Sequence, residues 1–216
     1  MKITKIEQQL KNHARYNIYL DDVFAFGVYD DTLLKYQMRK GDKLTEEKIN
    51  EIKDFDEYNY GKTVAYKFLS YKPRSIREVK NKLTYKKISL STVNKIIEHL
   101  KKYEFINDET YAKMYLEQKI KSKGMGKTMV QYKMIDKGID KEMISRVLSE
   151  NYPEEKQIEA GKKLLEKYVK KQKVKDVFEL KKKCYQYLFS RGFSYPIISQ
   201  ILSITEDEKG SNSGSD

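Results

Sequence analysis

The spacing of apolar positions changes near residue 60. Before it, short segments rich in β-branched and aromatic residues, Ile3 to Leu10, Tyr16 to Leu20 and Val23 to Gly27, predict three strands. Asp21-Asp22 joins the last two as a tight hairpin, because aspartate tolerates positive φ. Asp30 or Asp31 is placed to cap a short helix reaching Met38, which Lys40-Gly41-Asp42 breaks. Thr45 caps a second helix with Ile49 and Ile52 on one face. Residues 1–61 thus read as a small β-meander with two short helices. So small a core needs packing against the rest of the chain.

From residue 62 the pattern is helical and it recurs. Ile88, Ile139 and Phe193 serve as anchors, each just after a turn, at Lys86-Lys87, Lys137-Gly138 and Arg191-Gly192. Five residues before the anchor stand Leu83, Met134 and Leu188; nine before it stand Val79, Val130 and Cys184. Five after it stand Val93, Ile144 and Ile198, and eight and nine after it Ile96-Ile97, Val147-Leu148 and Ile201-Leu202. These offsets place one apolar face on the helix before the turn and one on the helix after it. A further helix precedes each pair, around Val64–Ser70, Tyr111–Ile120 and Ile158–Val169. The expected fold is mainly α: three tandem three-helix repeats over 62–107, 108–152 and 153–204, forming an elongated curved molecule. Ser75 and Glu78 have capping-box spacing, Pro73 ends the preceding helix at Lys72, and Asp108, Asp140 and Ser194 are placed as further caps. Residues 205–216, polar and rich in Gly and Ser, read as a disordered tail.

Charge sharpens this division. The net charge of +12 is unevenly placed: residues 1–61 hold 10 Lys/Arg against 12 Asp/Glu, residues 62–204 hold 33 against 16, and residues 205–216 hold 1 against 4. The basic excess belongs to the repeats, and such concentration attracts polyanions. No apolar run approaches the roughly 20 residues that cross a bilayer, and MKITKIEQQL lacks the apolar core of a signal peptide. The single cysteine, Cys184, fits a reducing compartment. A cytoplasmic monomer without membrane contact is expected.

Catalytic chemistry finds little footing. Gly126-Lys127-Thr128 resembles the end of a phosphate-binding loop, but Lys121 stands where that pattern needs glycine, and helices flank it on both sides. His13 and His99 have no cysteine or carboxylate at ligand spacing. Cys184 takes a core position held by valine in the other repeats, and the paired carboxylates Asp21-Asp22, Asp30-Asp31 and Asp108-Glu109 fall at turns or caps. No enzyme activity, cofactor or metal is expected. The candidate binding residues are basic: Lys72, Arg74, Arg77 and Lys80 in the first repeat, and Lys119, Lys121, Lys123, Lys127, Lys133 and Lys137 in the second. Lys181, Lys182, Lys183 and Arg191 occupy the corresponding stretch of the third. Lysine dominates, which favours phosphate or carboxylate contacts over base reading. On charge and spacing alone the alternatives are a clamp for an acidic partner, a stand-alone DNA-binding or transcriptional protein, and an inert helical adaptor.

Over about residues 60–204 the chain resembles the RecX family of bacterial regulatory proteins. The match rests on Tyr71-Lys72-Pro73-Arg74-Ser75 with Glu78 and Leu83, then Leu100, Phe105-Ile106-Asn107-Asp108-Glu109 with Tyr111-Ala112, and Lys137-Gly138-Ile139. It departs from the family pattern at Asn107, often Asp, and at Lys87, where a glycine is usual, so the first repeat's turn is in question. The resemblance implies a protein that lies in the groove of the RecA–DNA filament and restrains ATP hydrolysis, strand exchange and co-protease activity. It implies roles in DNA repair, homologous recombination and the SOS response. RecA is then the expected partner, with weak, sequence-independent contacts to single-stranded and duplex DNA.

Overall fold

The computed structural model describes residues 1–172 and 176–211, the last seven by backbone alone. Three antiparallel strands come first, in the order β1 (Ile3–Gln8), β2 (Arg15–Leu20) and β3 (Val23–Tyr29). Leu20 pairs with Val23 across the two-residue turn, where Asp21 and Asp22 have φ of 47° and 67°. Positive φ at both positions is what this hairpin turn requires. Ile3, Ile18, Phe26 and Val28 bury one face of the sheet against Met38, Ile49 and Ile52.

The next elements correct two expectations. Helix α1 (Asp30–Lys35) is preceded by Tyr29 as cap residue, without a side-chain cap bond. Asp30 and Asp31 lie inside its first turn, where carboxylates favour the positive helix end, and the helix stops before Met38. Thr45 does cap α2 (Glu46–Ser70), accepting from the Lys48 N–H at 3.2 Å. But α2 is one 25-residue helix, where the sequence suggested one helix near Ile49 and another from Val64. Gly61, at the expected division between residues 61 and 62, sits within it, and a Cβ there would lie 2.4 Å from Ile96 Cδ1. Buried Asp56, on the same helix, accepts from the Tyr29 N–H and the Thr32 hydroxyl, each at 2.7 Å.

The remaining helices are α3 (Ile76–Tyr85), α4 (Leu90–Lys102), α5 (Asp108–Lys123), α6 (Lys127–Asp136), α7 (Lys141–Asn151), α8 (Glu154–Val169), α9 (Val177–Ser190) and α10 (Tyr195–Ser211). The expected tail over 205–216 falls partly on α10 and partly, at 212–216, outside the described residues. Asn107, not Asp108, caps α5, accepting from the N–H groups of Glu109 and Thr110. Asp140 caps α7 as expected.

Every anchor is buried, as are its partners five and nine residues earlier. The three turns share one hydrogen-bond pattern. The N–H groups of Ile88, Ile139 and Phe193 donate to the carbonyls of Leu83, Met134 and Leu188. The preceding N–H groups, of Lys87, Gly138 and Gly192, donate to Thr84, Ile135 and Phe189. This is a Schellman closure, which brings the anchor onto the apolar residue five before it and asks for positive φ just ahead of it. Lys87 supplies it at φ 63°, alongside Gly138 at 80° and Gly192 at 87°. The missing glycine leaves the turn's geometry unchanged.

The chain divides into two compact units, Met1–Arg74 with Glu78–Phe105, and Ser75–Arg77 with the chain from Ile106 onward. Among the described residues, no helix is long and apolar enough to cross a membrane.

Candidate functional site

In the first unit, Lys72 and Lys80 are exposed, but Arg74 is largely covered. Its guanidinium lies 4.0 Å from the centre of the Phe68 ring, 3.9 Å from the Glu78 carboxylate, and its side chain is 17% exposed. A flat cation that stacks while holding a carboxylate suits that place better than lysine.

Arg77 has comparable work in the second unit. It donates to the carbonyls of Ile135 and Asp136, the last of α6, and covers Gly138, where a Cβ would come within 2.5 Å of its Cδ. Beside it, the Ser75 hydroxyl donates to the Lys137 carbonyl at 2.7 Å, and the Ile76 N–H donates to Asp108 at 2.9 Å. The same clasp recurs at the start of α6. Gly126 and Thr128 donate through their N–H groups to the carbonyls of Arg191 and Gly192, and a Cβ on Gly126 would meet the Gly192 backbone at 2.3 Å. Ser75 and Gly126 both stand thirteen residues before their anchors. The Gly-Lys-Thr sequence therefore builds a packing joint, with its N–H groups turned to backbone carbonyls.

Lys119 lies over the Tyr115 ring at 4.6 Å, while Lys127, Lys133 and Lys137 are half-buried around α6. Lys127 borders a separate recess with Glu154 and Glu155. Lys121 and Lys123, both exposed, line a basic groove of this unit. The last turn of α5 faces α8 across an open groove of about 780 Å³. Gly124, left-handed at φ 53°, ends α5 and rests against Leu164 of α8, bringing the two together. Lys156, Ala160, Lys163, Leu164 and Lys167 share one face of α8 by helical spacing, and Arg191 joins them from the α9–α10 turn. Arg191 is held 5.0 Å over the Tyr187 ring, which stacks on Tyr168 at 4.0 Å.

Six cations thus surround a floor of Ile120, Ala160 and Leu164 with one carboxylate, Glu159. Glu159 accepts a hydrogen bond from the Lys163 ammonium, which holds its carboxyl below the usual range. Of the fourteen basic positions put forward from the sequence, the groove gathers three, Lys121, Lys123 and Arg191. Lys156, Lys163 and Lys167 went unnoticed, although their spacing on a helix with Ala160 between them was a readable signal. Among the described residues no three His, Cys, Asp or Glu side chains are grouped to hold a metal. Cys184 is buried, and His99 Nε2 meets the Tyr66 hydroxyl at 2.8 Å.

Four family models match the chain in series: the regulatory protein RecX N-terminal domain over 1–45, and the first, second and third RecX three-helix domains over 62–100, 107–148 and 154–202. Regulatory protein RecX of Bacillus licheniformis and that of Bacillus subtilis are each 37% identical over 206 residues, 95% of this chain and 78% of theirs. A crystal structure of regulatory protein RecX superposes with a TM-score of 0.68 at 30% identity, covering 94% of this chain and 98% of that one.

Proposed function

We infer the function from one premise: the chain belongs to the RecX family of regulatory proteins. We propose that it is a non-enzymatic, cytoplasmic modulator of the RecA recombinase. It binds the RecA–DNA filament along its groove as a monomer and restrains ATP hydrolysis, strand exchange and co-protease activity. The observation that carries this reading is the groove between α5 and α8, where Lys121, Lys123, Lys156, Lys163, Lys167 and Arg191 outnumber a single carboxylate. A nucleoprotein filament offers phosphates and surface carboxylates together. Flexible ammonium groups attract both without selecting a sequence, which favours this reading over a transcriptional regulator. Many contacts of this kind, each weak in salt, add up on a repetitive partner.

The test is RecA ATP hydrolysis on single-stranded DNA with this protein titrated in. The rate is expected to fall in a dose-dependent way, and more steeply at low salt. A rate unchanged at saturating protein contradicts the proposal. A fall at substoichiometric protein marks interruption of filament growth, and a fall only near saturation marks coating of the groove.

A further inference from the structure

Helix α9 presents a buried face and, next to it, an exposed one that half-buried Tyr185 joins to the core. One, through Cys184 and Leu188, is buried in the core of the third repeat. The other carries Phe178, Lys182, Tyr185 and Phe189, spaced by four, three and four residues, which fall within about 60° around an α-helix. Phe178 is 78% and Phe189 61% exposed. Tyr185 stacks with Phe189 at 6.2 Å and meets Tyr195, itself 67% exposed, edge-on at 6.3 Å. The ridge runs roughly 16 Å along the helix. Aromatic side chains exposed together along one side of a helix mark a place that another molecule covers. The repeat fold does not require it: four and eight residues before the other anchors stand Thr84 and Lys80, and Ile135 and Gln131.

The flanks select the occupant. Lys182 lies within the ridge and Lys181 beside it, both exposed, while Glu179 is engaged by Lys183 at 2.8 Å. Aromatic anchors at helical spacing with a basic rim match the docking of a helix into an apolar cleft edged by carboxylates. A single-stranded nucleic acid also stacks on rings, but it needs a cationic track beside them for its backbone. Here one lysine stands among the ridge's three rings. We infer that the Phe178–Phe189 face of α9 docks on a protein partner presenting an apolar cleft rimmed by carboxylates. The identity of that partner, a RecA protomer in the filament, rests on the function proposed above.

The test uses the full chain, fluorescently labelled, and RecA filaments assembled on oligo(dT) with a non-hydrolysable ATP analogue. The double variant F178A/F189A is expected to bind these filaments about 10- to 100-fold more weakly, the range of aromatic hot spots. Its helical circular dichroism, its salt dependence and its affinity for free oligo(dT) should match the wild type. K182E is expected to bind filaments more weakly too, with a loss that shrinks as salt rises. Filament binding by F178A/F189A equal to that of the wild type overturns the ridge alone. An equal loss on free oligo(dT) makes the face a base-stacking surface and overturns the protein partner. A wild-type dimer in sedimentation that the double variant dissociates overturns it in favour of a second copy. Wild type that binds no filaments at all overturns the regulatory reading, and the RecA assignment of the ridge with it.

Discussion

Lys87 illustrates how the fold tolerates an unfavourable residue. It holds φ 63° in the turn before Ile88, where the two later repeats use glycine at the same hydrogen-bonded position. Left-handed backbone costs a residue with a Cβ about 1–2 kcal/mol, and glycine returns part of that through a more flexible unfolded chain. K87G is therefore expected to raise unfolding stability by about 0.5–1 kcal/mol in urea melts; a loss of stability would mean that the Lys87 side chain supports the turn. The arginines obey a second residue-scale rule. Arg74 and Arg77 bind a ring, a carboxylate and helix-end carbonyls, whereas the cations of the groove are lysines apart from Arg191. A planar five-donor group suits fixed internal contacts, and a mobile point charge suits a surface. By sequence alone both types count equally as binding residues, since charge says nothing of which side chains are engaged within the fold.

Among the elements, the three-helix repeat was legible because helical period exposes a buried face. The anchors and their partners form the cores of the repeats. What stayed hidden was how closely helices approach. Gly61, Ala112 and Gly161 are buried on α2, α5 and α8, and eight residues after the anchors stand Ile96, Val147 and Ile201. Glycine goes with isoleucine and alanine with valine, so combined volume is nearly conserved. On α2 and α8 the clash of an added Cβ is with the tip of the isoleucine, at 2.4 and 2.3 Å, other side-chain atoms lying at 3.4 Å or beyond. Gly126 differs, because its Cβ would press on the Gly192 backbone. G126A is expected to cost about 1–3 kcal/mol through overpacking, while G61A, helped by helix propensity, changes stability by less than about 1 kcal/mol. Equal effects in thermal melts would refute the distinction between backbone and side-chain neighbours. Element ends were harder to read for a simpler reason. Asn107 and Asp108 are both good caps, and only the observed dihedrals show that Asn107 caps α5 while Asp108 serves Ile76.

For the whole molecule, sequence told that the charge lies in the repeats but not which cations meet. Lys121 and Lys123 are more than thirty residues from Lys156, and the chain turn at Gly124 sets them across the groove. The ridge on α9 was equally hidden, because an aromatic at helical spacing reads as core until its burial is known. This member of the RecX family therefore carries two surfaces of different physical character: a cationic groove, whose proposed contacts weaken with salt, and a ridge on α9, whose aromatic rings act independently of salt. The measurement that tests the groove most directly is inhibition of RecA ATP hydrolysis by the wild type and by K123E/K163E/K167E, at low and moderate salt. The variant keeps wild-type helix content, since Lys123 and Lys167 are exposed and Lys163 pairs only on the surface with Glu159. The variant is expected to need at least about tenfold more protein for half inhibition at low salt, with the gap narrowing as salt rises. Half inhibition at the wild-type concentration in both salts would contradict the proposed role of the groove.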